Sequence, residues 1–148
     1  MADIKNRIPT PTEDVEQINL FRWAEFQSGK YAVLRMMYHT PNGGKRGKAE
    51  AGRFRAMGVK AGVPDIFLPY PLRYPDRQYC GLYIELKRQK GGTVSPEQKE
   101  WLRYLRAAGY AVEVCRGWEA AAKTIMDYMH FAYTPSQIDQ KDDRRNSK

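Results

Sequence analysis

Three residues in the middle of the chain carry the chemistry to be explained: Asp65, and then Glu85 and Lys87 spaced by one residue. Residues two apart on a strand project to the same face, so Glu85 and Lys87 point together while Ile84 and Leu86 face the opposite, core side. Ile66 to Leu68 and Leu82 to Leu86 read as two short buried strands joined by a long Pro-, Arg- and Asp-rich connection from Pro69 to Gln78. A hairpin folded about residues 75 to 76 brings Asp65, at the start of one strand, beside Glu85 and Leu86 at the end of the other. Two carboxylates held close repel unless a proton or a cation intervenes. A hard divalent cation, which takes one or two carboxylates plus water and phosphate oxygens, is the economical answer. Alone, Asp65 also fits a turn cap and Glu-X-Lys a solvated strand face.

Around this triad the chain is basic. It has 148 residues, a formal net charge of +8 and a sequence pI near 9.5, which favour a polyanionic partner. The excess concentrates between Lys45 and Lys60, where Lys45, Arg46, Lys48, Arg53, Arg55 and Lys60 face a single acid, Glu50. Ala49, Phe54, Ala56 and Met57 permit a helix there, ending at Gly58. Because this segment leads into the Asp65 turn, phosphate contact explains it better than a merely solvated surface.

Other elements must position these groups. Thr10-Pro11-Thr12-Glu13 predicts a helix start with Thr10 as N-cap and Glu13 as capping-box partner, running to about Gln27. Val15, Ile18, Phe21 and Phe26 supply its apolar surface, widened by Leu20 and Trp23, with Glu16 on the side of those two. Tyr31 to Tyr38 reads as a strand. His39, beside the following turn, is open to use as a general base, a phosphate contact or a structural residue. After the central hairpin, Ser95 with Pro96 and Gln98 forms a second capping box. It opens a helix with Trp101, Leu102, Leu105 and Ala108 inward. Gln98 either serves that cap or points towards the acids, or does both. Tyr110 to Cys115 reads as a returning strand, and Gly117-Trp118 introduces a last helix. Cys80 and Cys115, placed as small core residues in strands, form neither a disulfide framework nor a zinc cluster. With no apolar leader and no stretch approaching a membrane span, a cytoplasmic, reduced protein is expected.

The string Gly58-Val59-Lys60-Ala61-Gly62-Val63-Pro64-Asp65-Ile66, followed by Glu85-Leu86-Lys87 and by Ser95-Pro96-Glu97-Gln98, resembles the VRR-NUC branch of the PD-(D/E)XK nucleases. The resemblance spans roughly Asp14 to Met129. It implies an α/β fold with a restriction-endonuclease-like αβββαβ core, a mixed sheet flanked by helices. It also implies Mg²⁺ or Mn²⁺ held by Asp65, Glu85, the Leu86 backbone carbonyl and a first-helix glutamate. Glu16 is the first candidate for that glutamate, with Glu13 and Glu25 behind it. Lys87 and Gln98 complete the catalytic set, and Asn42 matches a site-shaping loop residue. The expected activity is endonucleolytic hydrolysis of DNA by one domain over residues 10–133, between a polar lead-in (1–9) and a disordered tail (134–148). Stand-alone relatives from viruses and bacteria include dimeric enzymes that cut junctions, so a homodimer acting on branched or four-way DNA is expected. Trp101, Tyr104, Trp118 and Tyr128 are on helices that could supply its interface. The competing reading is a non-catalytic DNA-binding or assembly protein on the same fold, which would need only the basic segment.

Overall fold

The computed structural model describes residues 8–41 and 47–137. Its first helix, α1 (Glu13–Gln27), starts two residues later than Thr10 predicts: Thr12 is the N-cap, its hydroxyl accepting from the Val15 N–H at 3.3 Å. Starting there places Glu13, Asp14 and Glu16 in the first turn, where the unpaired N–H groups favour negative charge. The buried stripe is Glu16, Leu20 and Ala24, at i, i+4 spacing. Val15, Ile18 and Phe26 instead stay exposed.

The strand expected over Tyr31 to Tyr38 is instead a 3₁₀ helix, Ala32–Met36, followed by a two-residue strand β1 (Tyr38–His39). Packing overrides local preference here. Leu34 and Met37 are both buried, and residues three apart share a side in a 3₁₀ turn but take opposite faces in a strand. The basic helix α2 (Lys48–Ala56) follows and buries none of its residues.

Strand β2 (Ile66–Leu68) pairs antiparallel with β5 (Leu82–Lys87), with Leu68 opposite Leu82. That register centres the hairpin on residue 75, as expected. Its connection holds a small second hairpin, β3 (Leu72–Arg73) with β4 (Gln78–Tyr79). A helix α3 (Pro96–Ala107) then carries the chain to β6 (Ala111–Arg116), parallel to β5, and α4 (Trp118–Met129) closes the fold. The main sheet therefore runs β1-β2-β5-β6, mixed, with helices on both faces. On one face Ile66, Leu68, Leu82, Ile84 and Leu86 pack with Leu20 of α1 and Ile125 and Tyr128 of α4. On the other, Leu102 and Leu105 of α3 pack on Val112, and Tyr83 and Val114 join them. Each fully buried leucine or isoleucine contributes about 1.5–3 kcal/mol relative to exposure.

Three further expectations change. Cys80 is exposed, at a bend after β4, whereas Cys115 is buried. Tyr128 is wholly buried and cannot serve an interface; its hydroxyl donates to the Tyr70 carbonyl instead. The segment expected to begin a tail at Thr134 is tied down as far as Ser136, whose N–H and hydroxyl both donate to the Glu113 carboxylate. Residues 138–148 lie outside the described residues. Among the described residues no helix is long and apolar enough to cross a membrane.

Candidate active site

Asp65 sits where the chain enters β2, and its backbone is gripped before its side chain acts. The Asp65 carbonyl accepts from the Thr40 N–H at 2.7 Å and lies 2.9 Å from His39 Nδ1. His39 thus braces the acid rather than facing it. Asp65 Oδ2 accepts from the Leu86 N–H at 2.9 Å. The strand register bears on the Leu86 carbonyl as well. Ile66 lies opposite Ile84, so two residues further on Pro64 faces Leu86. Proline has no N–H to give the ladder, so the Leu86 carbonyl loses that donor. N–H and C=O of one strand residue share an edge, so this carbonyl is on the side of Asp65, where the expected ligand role would need it.

Glu85 is sealed under α3, 1% exposed. Its Oε1 accepts from Gln98 Nε2 at 2.7 Å and lies 3.2 Å from Lys87 Nζ. Its Oε2 is buried and meets no N–H donor among the described residues; a bond to the neighbouring Asp65 carboxyl needs a proton or a cation between the two. Burial first, and the neighbouring Asp65 carboxylate second, push the Glu85 carboxyl up to about 8 against the opposing pull of Lys87. One lysine does not neutralise this pair of acids. Lys87 is itself buried and also lies 3.8 Å from Glu13 Oε1.

Gln98 performs both roles left open by the sequence. Its Oε1 accepts from the Ser95 N–H at 2.8 Å, closing the capping box, while its Nε2 holds Glu85. The start of α3 is pressed on the loop before Asp65: Gly62 has φ 87°, and a Cβ there would come within 2.6 Å of the Glu97 carbonyl carbon. Only glycine fits both the conformation and the contact. Trp101 Nε1 donates to the Ala61 carbonyl at 3.1 Å, fastening the same loop.

These elements surround a cleft of about 190 Å³ lined by Glu13, Asp65, Glu85 and Gln98 together with Gly62 and Ser95. Glu16 is not among its walls. It is wholly buried one turn further along α1, where Oε2 accepts from the Trp118 N–H at 2.7 Å and Oε1 from Gln89 Nε2 at 3.1 Å. Gly117 offers no side chain to cap α4, and Glu16 supplies that cap from another helix. The first-helix acid that reaches the cleft is Glu13, whose position at the helix start reads equally well as simple capping. Lys48, Arg53, Arg55 and Lys60 are all exposed. Asn42, Lys45 and Arg46 lie outside the described residues.

The donor set suits a hard divalent cation. Among the described residues no three of His, Cys, Asp and Glu converge on one point. Still, the orphaned Glu85 Oε2, the second Asp65 oxygen and the Leu86 carbonyl are all oxygen donors, and Mg²⁺-type sites ask little more of a protein.

A buried glutamate beside a half-buried aspartate, with a lysine two residues along the glutamate's strand, set in a mixed sheet between helices, is the arrangement of a nuclease-type domain. The chain belongs to the VRR-NUC domain family, whose model matches residues 12–119. A solved structure described as a "VRR_NUC domain protein" is similar to it, with 29% identity and a TM-score of 0.68 over 83% of this chain and 92% of the other. No curated protein matches the chain.

Proposed function

We propose that the protein is a divalent-metal-dependent endonuclease that hydrolyses phosphodiester bonds of DNA, with branched DNA favoured. The observation that carries this reading is Glu85 Oε2, buried without a donor among the described residues and beside a second acid, with Lys87 Nζ 3.2 Å from the other oxygen of the same carboxylate. Without a cation the fold gains nothing from this: the carboxyl must either hold a proton well above its ordinary range or leave a buried oxygen unsatisfied, at about 1–3 kcal/mol. Asp65, Glu85 and the Leu86 carbonyl would hold Mg²⁺ or Mn²⁺, which when bound supplies a Lewis acid to the phosphate and a lowered pKa to the attacking water. Lys87 donates to that water or to the phosphate oxygens as negative charge builds on them. Gln98 fixes the rotamer of Glu85. The exposed Lys48, Arg53, Arg55 and Lys60 hold the DNA backbone without reading sequence.

The test is cleavage of linear, single-stranded, flapped and four-way DNA by the wild type and by Glu85→Gln, with Mg²⁺, with Mn²⁺ and with EDTA. Cutting that needs the metal and Glu85 is expected, strongest on branched substrates. Tight binding with no cutting under any condition would favour the non-catalytic reading. Association as a homodimer is part of the proposal, with Phe26 and Met36, exposed at 84% and 64% beside the groove between α1 and the 3₁₀ turn, as its apolar contacts. Light scattering at micromolar concentration measures it, and a strict monomer would remove it.

A further inference from the structure

The sheet face that carries the acids also carries a row of aromatic rings, and α3 covers only part of it. Tyr38 is opposite Phe67 and Phe67 opposite Tyr83, so one ring from each of β1, β2 and β5 crosses the sheet side by side. Tyr83 lies under α3, packed with Leu102, Leu105 and Val112. Phe67 stacks on Tyr83 with ring centroids 4.3 Å apart and planes 24° apart. Tyr38, beyond α3, meets Phe67 edge to face at 5.8 Å and remains 51% exposed. An edge-to-face contact occupies at most one face of a ring, so Tyr38 keeps a flat surface open to solvent. The row is braced from inside and ends in an unused ring.

Its position relates it to the cleft. Phe67 and Tyr83 are each two residues along their strands from Asp65 and Glu85, roughly 7 Å away on the same face. The basic segment with Lys48, Arg53 and Arg55 leaves the sheet just after Tyr38 and returns at Asp65, and the Thr40 N–H on the Asp65 carbonyl ties those two points together. A nucleic-acid strand held by these cations, with one phosphate at the acids, would pass its neighbouring sugar and base over Tyr38. A positively charged track beside exposed rings is how unpaired bases are bound without regard to sequence.

We propose that Tyr38, braced through Phe67 on Tyr83, is a stacking platform for an unpaired nucleobase on a strand that the basic segment leads past the Asp65 and Glu85 cleft, and that it selects strands whose bases are free to leave the duplex stack. This rests on the nuclease reading for the place of the phosphate, but its test does not depend on cleavage. Equilibrium binding of the full chain is measured in EDTA. One probe is a duplex with 2-aminopurine in a single-stranded flap, and the other has the same base fully paired. Tyr38→Ala should weaken flap binding by about 5- to 150-fold, the range expected for losing one base-stacking ring. It should leave the paired probe within about twofold, and 2-aminopurine quenching by the wild type should vanish. Tyr38→Phe should keep both affinity and quenching. Tyr38→Leu, which retains apolar contact with Phe67 but not the flat ring, should behave like Tyr38→Ala. Equal losses on both probes, unchanged flap binding, or quenching that survives in Tyr38→Leu would each overturn the platform. Absence of metal-dependent cutting by the wild type would count against the nuclease reading and leave these binding outcomes unaffected.

Discussion

Glu85 and Glu16 are equally hidden from water, at 1% and 0% exposure, yet their surroundings are opposite. Both oxygens of Glu16 accept from N–H donors, the Trp118 backbone and the Gln89 amide. Glu85 has one oxygen shared between Gln98 and Lys87, the other with no N–H donor among the described residues, and a second carboxylate alongside. Burial of an acid therefore says little about what it does. Satisfaction distinguishes them: a carboxylate with both oxygens answered is a structural part, and the one left unanswered beside its own kind is the one we propose to hold a cation.

Substitution should separate the two by what is lost. Glu85→Gln is expected to reduce cleavage by at least about 10²–10³-fold, the scale of losing one preorganised electrostatic group, while DNA affinity in EDTA is retained. Full activity in that variant would erase the contrast. Glu16→Ala is expected to cost about 1–3 kcal/mol in urea unfolding, because it removes the cap of α4 and leaves the half-buried Trp118 N–H without its acceptor, while the exposed Gln89 amide can turn to water. Cleavage per folded molecule should stay nearly unchanged. A stable Glu16→Ala protein with no activity would instead put Glu16 in the site.

The contrast also has a pH signature. A carboxyl held at about 8 in the fold keeps its proton while the unfolded chain, titrating near 4.5, has lost it. The contribution of Glu85 is thus fully present below about 4.5 and declines as pH rises towards 8, with a slope approaching 1.4 kcal/mol per pH unit. Urea midpoints in EDTA between pH 5.5 and 8 should fall accordingly, and should flatten in Glu85→Gln or on adding Mg²⁺. A flat wild-type profile would mean that Glu85 is ionised and already balanced. The smallest effect is expected at Glu13, at the rim of the same cleft and nearly half exposed. Glu13→Ala should raise the Mg²⁺ concentration needed for half-maximal cutting by about tenfold with little change in stability.

Much of this site was legible because it follows from short-range periodicity. The Glu85-X-Lys87 strand needs only alternation, the hairpin needs only a midpoint, and the Ser95 to Gln98 capping box is local in sequence; all three are seen. What could not be read depends on contacts between distant segments. Whether Glu13 or Glu16 reaches the acids is decided by where α4 begins, since Trp118 claims Glu16 from 102 positions away. The 3₁₀ turn at Ala32–Met36 replaces a strand because Leu34 and Met37 must be buried on the same side, a demand made by α1 and not by their own β propensity. His39 and Thr40 show no sign in their local sequence that they grip the Asp65 carbonyl.

Gln98 shows how a helix signal and a site can constrain one side chain differently. At the third position of a capping box, Glu and Gln serve the helix equally, because either offers an oxygen to the Ser95 N–H. Here the other end of the side chain must also give a proton to Glu85 Oε1, 2.7 Å away, and only the amide accepts at one end while donating at the other. Gln98→Glu would leave the helix content of α3 intact and place a third negative charge against the pair. The vocabulary permitted at position 98 is therefore set by position 85, and a change neutral to the α3 helix alone is forbidden by a strand thirteen residues earlier.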